Sequence, residues 1–157
     1  MIDVLISEFI DNDAVSSLKK NFKVHYDPEL WSKSNELMNL VSNSKTIIVR
    51  NATQVDSNLL YHANQLKAVV RLGVGLDNIN VDICKSRGIE VCPAIGTNAD
   101  SVAEYVIGMS IMLLRNNLFL SKFSVLEGKW DRKSYMNSKE IGGKILGIIG
   151  FGFECEY

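Results

Sequence analysis

An apolar strand that runs into a turn with two glycines lies near the middle of the chain: Val69-Val70-Arg71-Leu72-Gly73-Val74-Gly75-Leu76-Asp77-Asn78-Ile79. Glycine has no Cβ atom, so backbone N–H groups at Gly73 and Gly75 can approach a bound anion closely, and φ can become positive without penalty. If the strand belongs to a parallel sheet, the turn lies at its carboxyl end, where open α/β folds bind ligands. The same pattern also fits a tight turn without a ligand, so the neighbouring elements have to decide.

Short β-branched runs alternate with helical patterns on both sides of this stretch. Strands are predicted at 4–7, 22–26, 46–50, 67–72 and 89–92, and helices between them at 11–20, 29–42, 56–63 and 81–87. Strands that alternate with helices are typical of a parallel α/β sheet rather than of a hairpin protein. The pattern therefore predicts one doubly wound domain.

The composition restricts the class of protein. The chain has 157 residues, 46% of them hydrophobic, and a formal net charge of −1, which gives no electrostatic reason to expect nucleic acid or a membrane as a partner. Cys84, Cys92 and Cys155 have no Cys-x-x-Cys spacing, so neither a zinc site nor a disulfide framework is expected. The first residues lack the basic and apolar regions of a signal peptide. These features predict a cytoplasmic protein.

A helix of a different character is predicted after residue 97. Ser101-Val102-Ala103-Glu104 has the pattern of a capping box, which predicts that the helix begins there. From there to residue 114, apolar side chains cover nearly the whole circumference of the helix, so we expect the helix to be buried between domains or subunits. The run is shorter than the roughly 20 residues that a bilayer requires. A second helix is predicted over 118–126, within a more polar arm.

The end of the sequence resembles the start of a dinucleotide-binding unit. Lys144-Ile145-Leu146-Gly147-Ile148-Ile149 predicts a strand, and Gly150 and Gly152 follow as the first two glycines of a Gly-x-Gly-x-x-Gly fingerprint. Cys155 stands where the third glycine belongs. The five residues after Gly152 are too few to form the phosphate-binding helix, since isolated helices need about 12 to 15 residues.

Together these motifs resemble the NAD-dependent D-2-hydroxyacid dehydrogenases, and within them the phosphoglycerate dehydrogenase branch. The resemblance implies a flavodoxin-like substrate domain over 1–97, a linker helix and dimerisation arm over 98–140, and the truncated start of an NAD-binding Rossmann domain over 141–157. It also implies a homodimer in the intact enzyme and a small 2-hydroxy or 2-oxo acid as substrate. The motifs that carry it are Arg50-Asn51-Ala52-Thr53, the segment from Arg71 to Ile79, Gly96-Thr97-Asn98, Ser101-Val102-Ala103-Glu104, Gly128-Lys129-Trp130, and the segment from Gly143 to Gly152.

The resemblance also implies which residues bind the substrate. The backbone amides of Gly73-Val74-Gly75 match the segment that holds the substrate carboxylate, and Arg50 matches a basic residue of the same pocket. An arginine suits a carboxylate or phosphate because its guanidinium binds both oxygens at once. Arg50 at a strand end also fits a surface salt bridge, and Arg71 fits a residue that only supports the loop.

No catalytic residue is predicted in this chain. The family's catalytic histidine, glutamate and arginine come from the second half of its members, beyond this sequence. His25 and His62 fall outside the matched motifs and fit structural or exposed residues. The family function is hydride transfer between a D-2-hydroxy acid and NAD, with Gly150 and Gly152 as candidate cofactor-binding residues.

For the molecule itself we expect an inactive amino-terminal part of such an enzyme, truncated or frameshifted after about Gly152. The alternative is a non-catalytic interaction module that dimerises with a full-length homologue. A phosphoacceptor receiver domain shares the five-strand pattern but needs an aspartate at the end of its third strand, where this chain has Arg50. It also needs paired acidic residues after the first strand, where only Glu8 stands.

Overall fold

The computed structural model describes residues 1–115, 122–129, 133 and 136–150. The chain divides into two compact units, Met1–Ile95 and Gly96–Tyr157.

The first unit is built on a parallel sheet of five strands in the order β2-β1-β3-β4-β5. This is the flavodoxin-like order of a doubly wound sheet, so the predicted fold class is confirmed. The order reverses between β1 and β3, because the chain continues from β1 to one side and returns to the other. The strands are β1 Ile2–Ile6, β2 Val24–Tyr26, β3 Ser44–Val49, β4 Ala68–Arg71 and β5 Glu90–Pro93.

Alternate strand residues pack on the two faces of the sheet, as the period of two in a strand requires. The helices of the first unit are α1 Asn12–Lys19, α2 Ser34–Val41, α3 Ser57–His62 and α4 Val81–Ser86. On one face Leu5, Ile47, Val49 and Val69 join a buried cluster with residues of α2, α3 and α4. On the other face Val4, Ile6 and Ile48 pack with Val15 of α1. The strands are therefore held from both sides, and their carboxyl ends meet at one edge.

The helix predicted over 29–42 is wrong at its beginning. A 3₁₀ turn, Leu30–Ser32, comes first, and α2 starts only at Ser34. The Asp27 carboxylate accepts a hydrogen bond from the backbone N–H of Glu29 at 2.9 Å and pairs with Lys33 at 2.5 Å. These contacts stabilise a local turn in competition with helix, as short acidic side chains commonly do.

In the second unit, α5 spans Ala99–Leu114 and α6 spans Lys122–Leu126. The predicted capping box is wrong, because α5 begins before Ser101 and its N-cap is Asn98, which makes no side-chain cap hydrogen bond. The predicted second helix is confirmed over 122–126, whereas 118–121 lie outside the described residues.

The strand predicted over 144–149 is also wrong. The described residues 138–150 contain no strand, and the side chains of Ile145 and Ile149 are 98% and 106% exposed. A strand is defined by hydrogen bonds to a neighbour, and β-branched sequence alone does not supply one. Gly152 and Cys155 lie outside the described residues, so the predicted fingerprint can be located only at Gly150, which has a φ of 91°.

Helix α5 is apolar nearly all round and exposes much of that surface in the single chain. Tyr105, Ile107 and Leu113 are 67%, 57% and 68% exposed. Its expected burial between domains or subunits therefore stays a prediction. Within the part of the chain that the structure describes, every helix is too short or too polar to cross a bilayer.

Candidate anion-binding site

Two of the predicted site elements lie at the carboxyl ends of neighbouring strands. Val49 and Arg71 are partners in the register of β3 and β4. Arg50 directly follows β3, and the loop Gly73-Val74-Gly75 follows β4 two residues on. Both therefore reach the edge of the sheet at which open α/β folds bind ligands.

The backbone N–H groups of Gly73, Val74 and Gly75 have no hydrogen-bond acceptor among the described residues. Such amides need an acceptor, which water or a bound anion can provide. The carbonyl of Gly73, in contrast, accepts from the N–H of Ala94 at 3.1 Å, which fixes the loop to the segment after β5. The loop thus carries three donors that no described residue occupies, on an anchored backbone.

The reason for glycine at position 73 is steric and not conformational. Neither Gly73 nor Gly75 has a positive φ, so neither glycine uses the conformational freedom that glycine would allow there. A Cβ atom at Gly73 would instead collide with Nη1 of Arg71 and lie 3.0 Å from its Cζ. The absent side chain makes room for the Arg71 guanidinium beside the loop.

Arg71 is held in that place by Asn78. Its Nε donates to Oδ1 of Asn78 at 3.3 Å, and its side chain is half-buried. Arg71 therefore adds a fixed positive charge next to the free amides. The hydrogen bond to Asn78 fits the sequence-based interpretation that Arg71 supports the loop. The position of its guanidinium adds an electrostatic role.

The turn after β3 is closed by an internal carboxylate that sequence reasoning missed. Glu8, two residues after β1, is only 5% exposed. Its Oε1 accepts from the backbone N–H of Arg50 at 2.8 Å and of Thr53 at 2.9 Å, and its Oε2 accepts from Asn51 at 3.1 Å and Ala52 at 3.0 Å. Consecutive N–H groups that converge in this way form an anion-binding nest. Here the anion is part of the chain.

The Glu8 carboxylate is stabilised in its charged form. Burial by itself raises its pKa, but the hydrogen bonds from the backbone N–H groups of Ala52, Thr53 and Arg50 outweigh that cost, so the pKa of Glu8 lies below its usual value. The only sequence signal for this role was an acid directly after the first buried strand.

Asn78 ties the two strand ends together. Its Nδ2 donates to the carbonyl of Thr53 at 2.8 Å and to that of Arg50 at 3.2 Å, while its Oδ1 accepts from Arg71. Thr53 is further joined to Ser7 through their hydroxyls, 2.8 Å apart. No buried side-chain nitrogen or oxygen lacks a partner in the described part of the chain. The polar residues around the turn therefore form one satisfied network.

The Arg50 guanidinium differs from these groups. Its residue is exposed, and it makes no ion pair or side-chain hydrogen bond with any described residue. The surface salt bridge that the sequence left open is therefore not formed within the described residues. The backbone of Arg50 is fixed from both sides while its charge stays available.

Comparison with known proteins assigns the chain to a family. The family model "D-isomer specific 2-hydroxyacid dehydrogenase, catalytic domain" matches residues 4–150. The chain belongs to this family. The resemblance seen in the sequence is thereby confirmed.

Curated relatives of the chain include several dehydrogenases. It is 46% identical over 152 residues to (S)-sulfolactate dehydrogenase from Chromohalobacter salexigens, covering 97% of this chain and 48% of that protein. It is 36% identical over 149 residues to D-3-phosphoglycerate dehydrogenase from Archaeoglobus fulgidus, covering 95% of this chain and 28% of the other. The chain thus spans about half or less of the length of these 2-hydroxyacid dehydrogenases.

Solved structures share the fold. The NADPH-dependent glyoxylate/hydroxypyruvate reductase from Sinorhizobium meliloti, in complex with citrate, matches with a TM-score of 0.80 at 19% identity, covering 99% of this chain and 49% of that one. The NAD+-bound 3-phosphoglycerate dehydrogenase from Entamoeba histolytica matches with a TM-score of 0.69 at 22% identity, covering 99% and 48%.

The two histidines of this family member lie away from the candidate site. His25 lies on the edge strand β2, where it pairs with Leu5 of β1. Strand β1 therefore separates it from β3 and β4, whose ends carry the candidate site. His62 ends α3 and binds the carbonyl of Asn58 through Nδ1 at 2.9 Å. Because α3 leads into β4, its carboxyl end lies toward the opposite edge of the sheet. Among the described residues no group of His, Cys, Asp and Glu side chains is arranged to hold a metal ion.

Proposed function

We propose that this chain is the substrate-binding part of a dehydrogenase that interconverts a small D-2-hydroxy acid and its 2-oxo acid with NAD. The observation that carries the proposal is the row of amides at Gly73-Val74-Gly75, which have no acceptor among the described residues and lie beside the Arg71 guanidinium. Amides and a guanidinium that lie side by side complement a carboxylate. The family to which the chain belongs supports the reaction class.

We further propose that the substrate has a second anionic group. Arg50 follows the neighbouring strand and has no partner among the described residues, so its charge is available to a second anion. Two curated relatives are named for acids of this kind, sulfolactate and phosphoglycerate. The loop would hold the carboxylate of such a substrate, and Arg50 would contact its sulfonate or phosphate.

Binding of 3-sulfolactate and D-lactate to the chain, measured by calorimetry, tests this assignment. We expect Arg50→Ala to weaken 3-sulfolactate binding about tenfold or more, since a charge-assisted hydrogen bond contributes about 1.5–3 kcal/mol. D-lactate, which lacks the second anion, should be affected less. The matched control is Lys67→Ala, which removes an exposed cation directly before β4, at the other edge of the sheet. Equal losses for both variants would contradict the proposal.

We propose that the 157 residues alone bind such acids but do not turn them over. A bound NAD would supply hydride chemistry through its nicotinamide, and Gly150 and Gly152 are the residues of this chain proposed to approach its pyrophosphate. Neither histidine of the chain lies where it could serve the hydroxyl as an acid or base. Oxidation of NADH by this chain with a 2-oxo acid, followed by absorbance, would contradict the proposed inactivity.

We propose a homodimer in the intact enzyme, in which α5 covers its exposed apolar residues. A large exposed apolar surface commonly marks an interface. Sedimentation of the chain should show a dimer that Ile107→Lys dissociates, whereas Lys122→Glu on α6 should leave it intact. A monomer at all concentrations would contradict this proposal and also the alternative of a dimerising interaction module.

A further inference from the structure

The carboxylate of Glu8 lies at the place in the sheet where doubly wound folds of this strand order bind a ligand. The order β2-β1-β3-β4-β5 has its topological switch point between β1 and β3. Glu8 follows β1, and the turn from Arg50 to Thr53 follows β3. At such switch points the backbone N–H groups commonly face a phosphate or carboxylate of the ligand.

Here those N–H groups are already satisfied. Four consecutive amides, from Arg50 to Thr53, donate to the two oxygens of one side chain at 2.8–3.1 Å. Glu8 is 5% exposed, so neither water nor a free anion can easily replace it. The amides of Gly73, Val74 and Gly75, one strand further on, have no such partner among the described residues.

We infer that Glu8 is an internal anion that closes the switch-point nest to ligands and positions Arg50 for a substrate held by the loop Gly73-Val74-Gly75. The second half of this inference rests on the proposed function. Glu8 fixes the N–H side of the turn, and Asn78 fixes its carbonyl side through Arg50 and Thr53. The backbone of Arg50 is therefore held at its N–H by Glu8 and at its carbonyl by Asn78, and this fixes the point from which its side chain extends. Glu8 is a positioning residue, since it acts on the ligand through Arg50.

The charge balance at the edge follows from the same arrangement. The negative charge of Glu8 is matched by the four N–H dipoles and not by either arginine, because no ion pair of Glu8 with Arg50 or Arg71 exists within the described residues. Both guanidinium groups thus keep their charge for an external anion. A nest left open would instead offer substrate anions a competing site beside the loop.

Formate titration followed by amide NMR tests the closed nest without reference to the substrate. In the wild-type chain, formate should leave the amides of residues 50–53 unchanged. In Glu8→Ala the same four amides should shift in a saturable way, because formate replaces the missing carboxylate. Amides that respond equally in both chains, or in neither, would overturn the closed nest. Through-hydrogen-bond couplings from these amides to the Glu8 carboxyl carbon in the wild-type chain provide the same test if Glu8→Ala fails to fold.

A double-mutant cycle with 3-sulfolactate tests the positioning role. Glu8→Gln should weaken binding about tenfold, which corresponds to a lost contribution of typical size for a hydrogen-bonded charge. In an Arg50→Ala background the same change should have less than about a twofold effect, because the residue through which Glu8 acts is already gone. Glu36→Gln, an exposed glutamate of α2, is the matched control and should change neither value.

The outcomes separate the two proposals. An equal loss of affinity in both backgrounds would show a general structural effect and overturn the positioning role. If the wild-type chain binds no hydroxy acid, the proposed function and with it the positioning role fail, while the formate titration still decides whether Glu8 closes the nest.

Discussion

Leu5 in the first unit and Leu113 in the second show how differently the two units use apolar side chains. Leu5 is fully buried between the sheet and its helices, whereas Leu113 of α5 is 68% exposed. Among the described residues of the second unit, Ala99 is the only buried hydrophobic one. Each strand of the first unit has a hydrogen-bonded neighbour, but the apolar residues 145–149 form no strand with any described residue. Apolar sequence therefore becomes core only where other elements provide a partner surface.

Truncating one leucine in each unit gives the largest effect and tests this difference directly. We expect Leu5→Ala to lower the free energy of unfolding by about 3 kcal/mol, because it removes buried methyl groups and leaves a cavity. Leu113→Ala changes a side chain that is mostly exposed in the single chain, so at concentrations too low for the proposed dimer its effect should stay within about 0.5 kcal/mol. Urea unfolding followed by circular dichroism measures both.

A similar loss for both variants at high concentration would mean that α5 is covered in the proposed dimer. In that case sedimentation of the same samples should show an oligomer, and the loss for Leu113→Ala should decrease on dilution, as the linkage of stability to assembly requires.

The same contrast explains what the sequence could predict. The sheet of the first unit was predictable because its strands and helices alternate in short local patterns, and the loop at Gly73 was visible as a strand followed by a glycine turn. The role of Glu8 was not predictable, because its hydrogen bonds reach residues 42 to 45 positions away in the sequence. The strand predicted at 144–149 was wrong because a strong local pattern forms a strand only when a distant partner strand pairs with it. The roles of Arg50, Gly73, Val74, Gly75, Gly150 and Gly152 in binding stay predictions.

Replacing the Glu8 carboxylate should give the next largest effect. Glu8→Gln puts an amide donor against four N–H groups, so at least one buried polar group loses its partner. We expect a loss of about 2 kcal/mol in the free energy of unfolding, the typical cost of an unsatisfied buried group. Glu36→Gln on the surface of α2 should have no comparable effect. Equal stabilities of the two variants would contradict the buried nest.

The pH dependence of the same variants sharpens this result. Because the pKa of Glu8 is lowered in the folded chain, its carboxylate stabilises the fold above the pKa of the unfolded chain, and this stabilisation is lost as the pH falls through the lowered value. Asp3 and Asp27 also have lowered pKa values, through their hydrogen bonds with Lys45 and Lys33, but they titrate in both chains. The difference in stability between wild type and Glu8→Gln should therefore shrink toward acid pH. A constant difference would assign the effect of the variant to packing and not to charge.

The smallest effects are expected for alanine at two glycines, one in each unit, and these should differ in kind. Gly108 lies within α5, where a Cβ meets nothing within 4 Å, so Gly108→Ala should stabilise the helix by up to about 1 kcal/mol. Slower hydrogen exchange of the α5 amides would show this stabilisation.

At Gly73 the Cβ of an alanine displaces the Arg71 guanidinium from the loop. Since that guanidinium is the far end of a flexible side chain, stability should change by less than about 1 kcal/mol, while binding of D-lactate weakens several-fold because the displaced charge no longer faces the carboxylate. Unchanged binding in Gly73→Ala would mean that Arg71 supports only the network with Asn78, and that the free amides alone hold the anion.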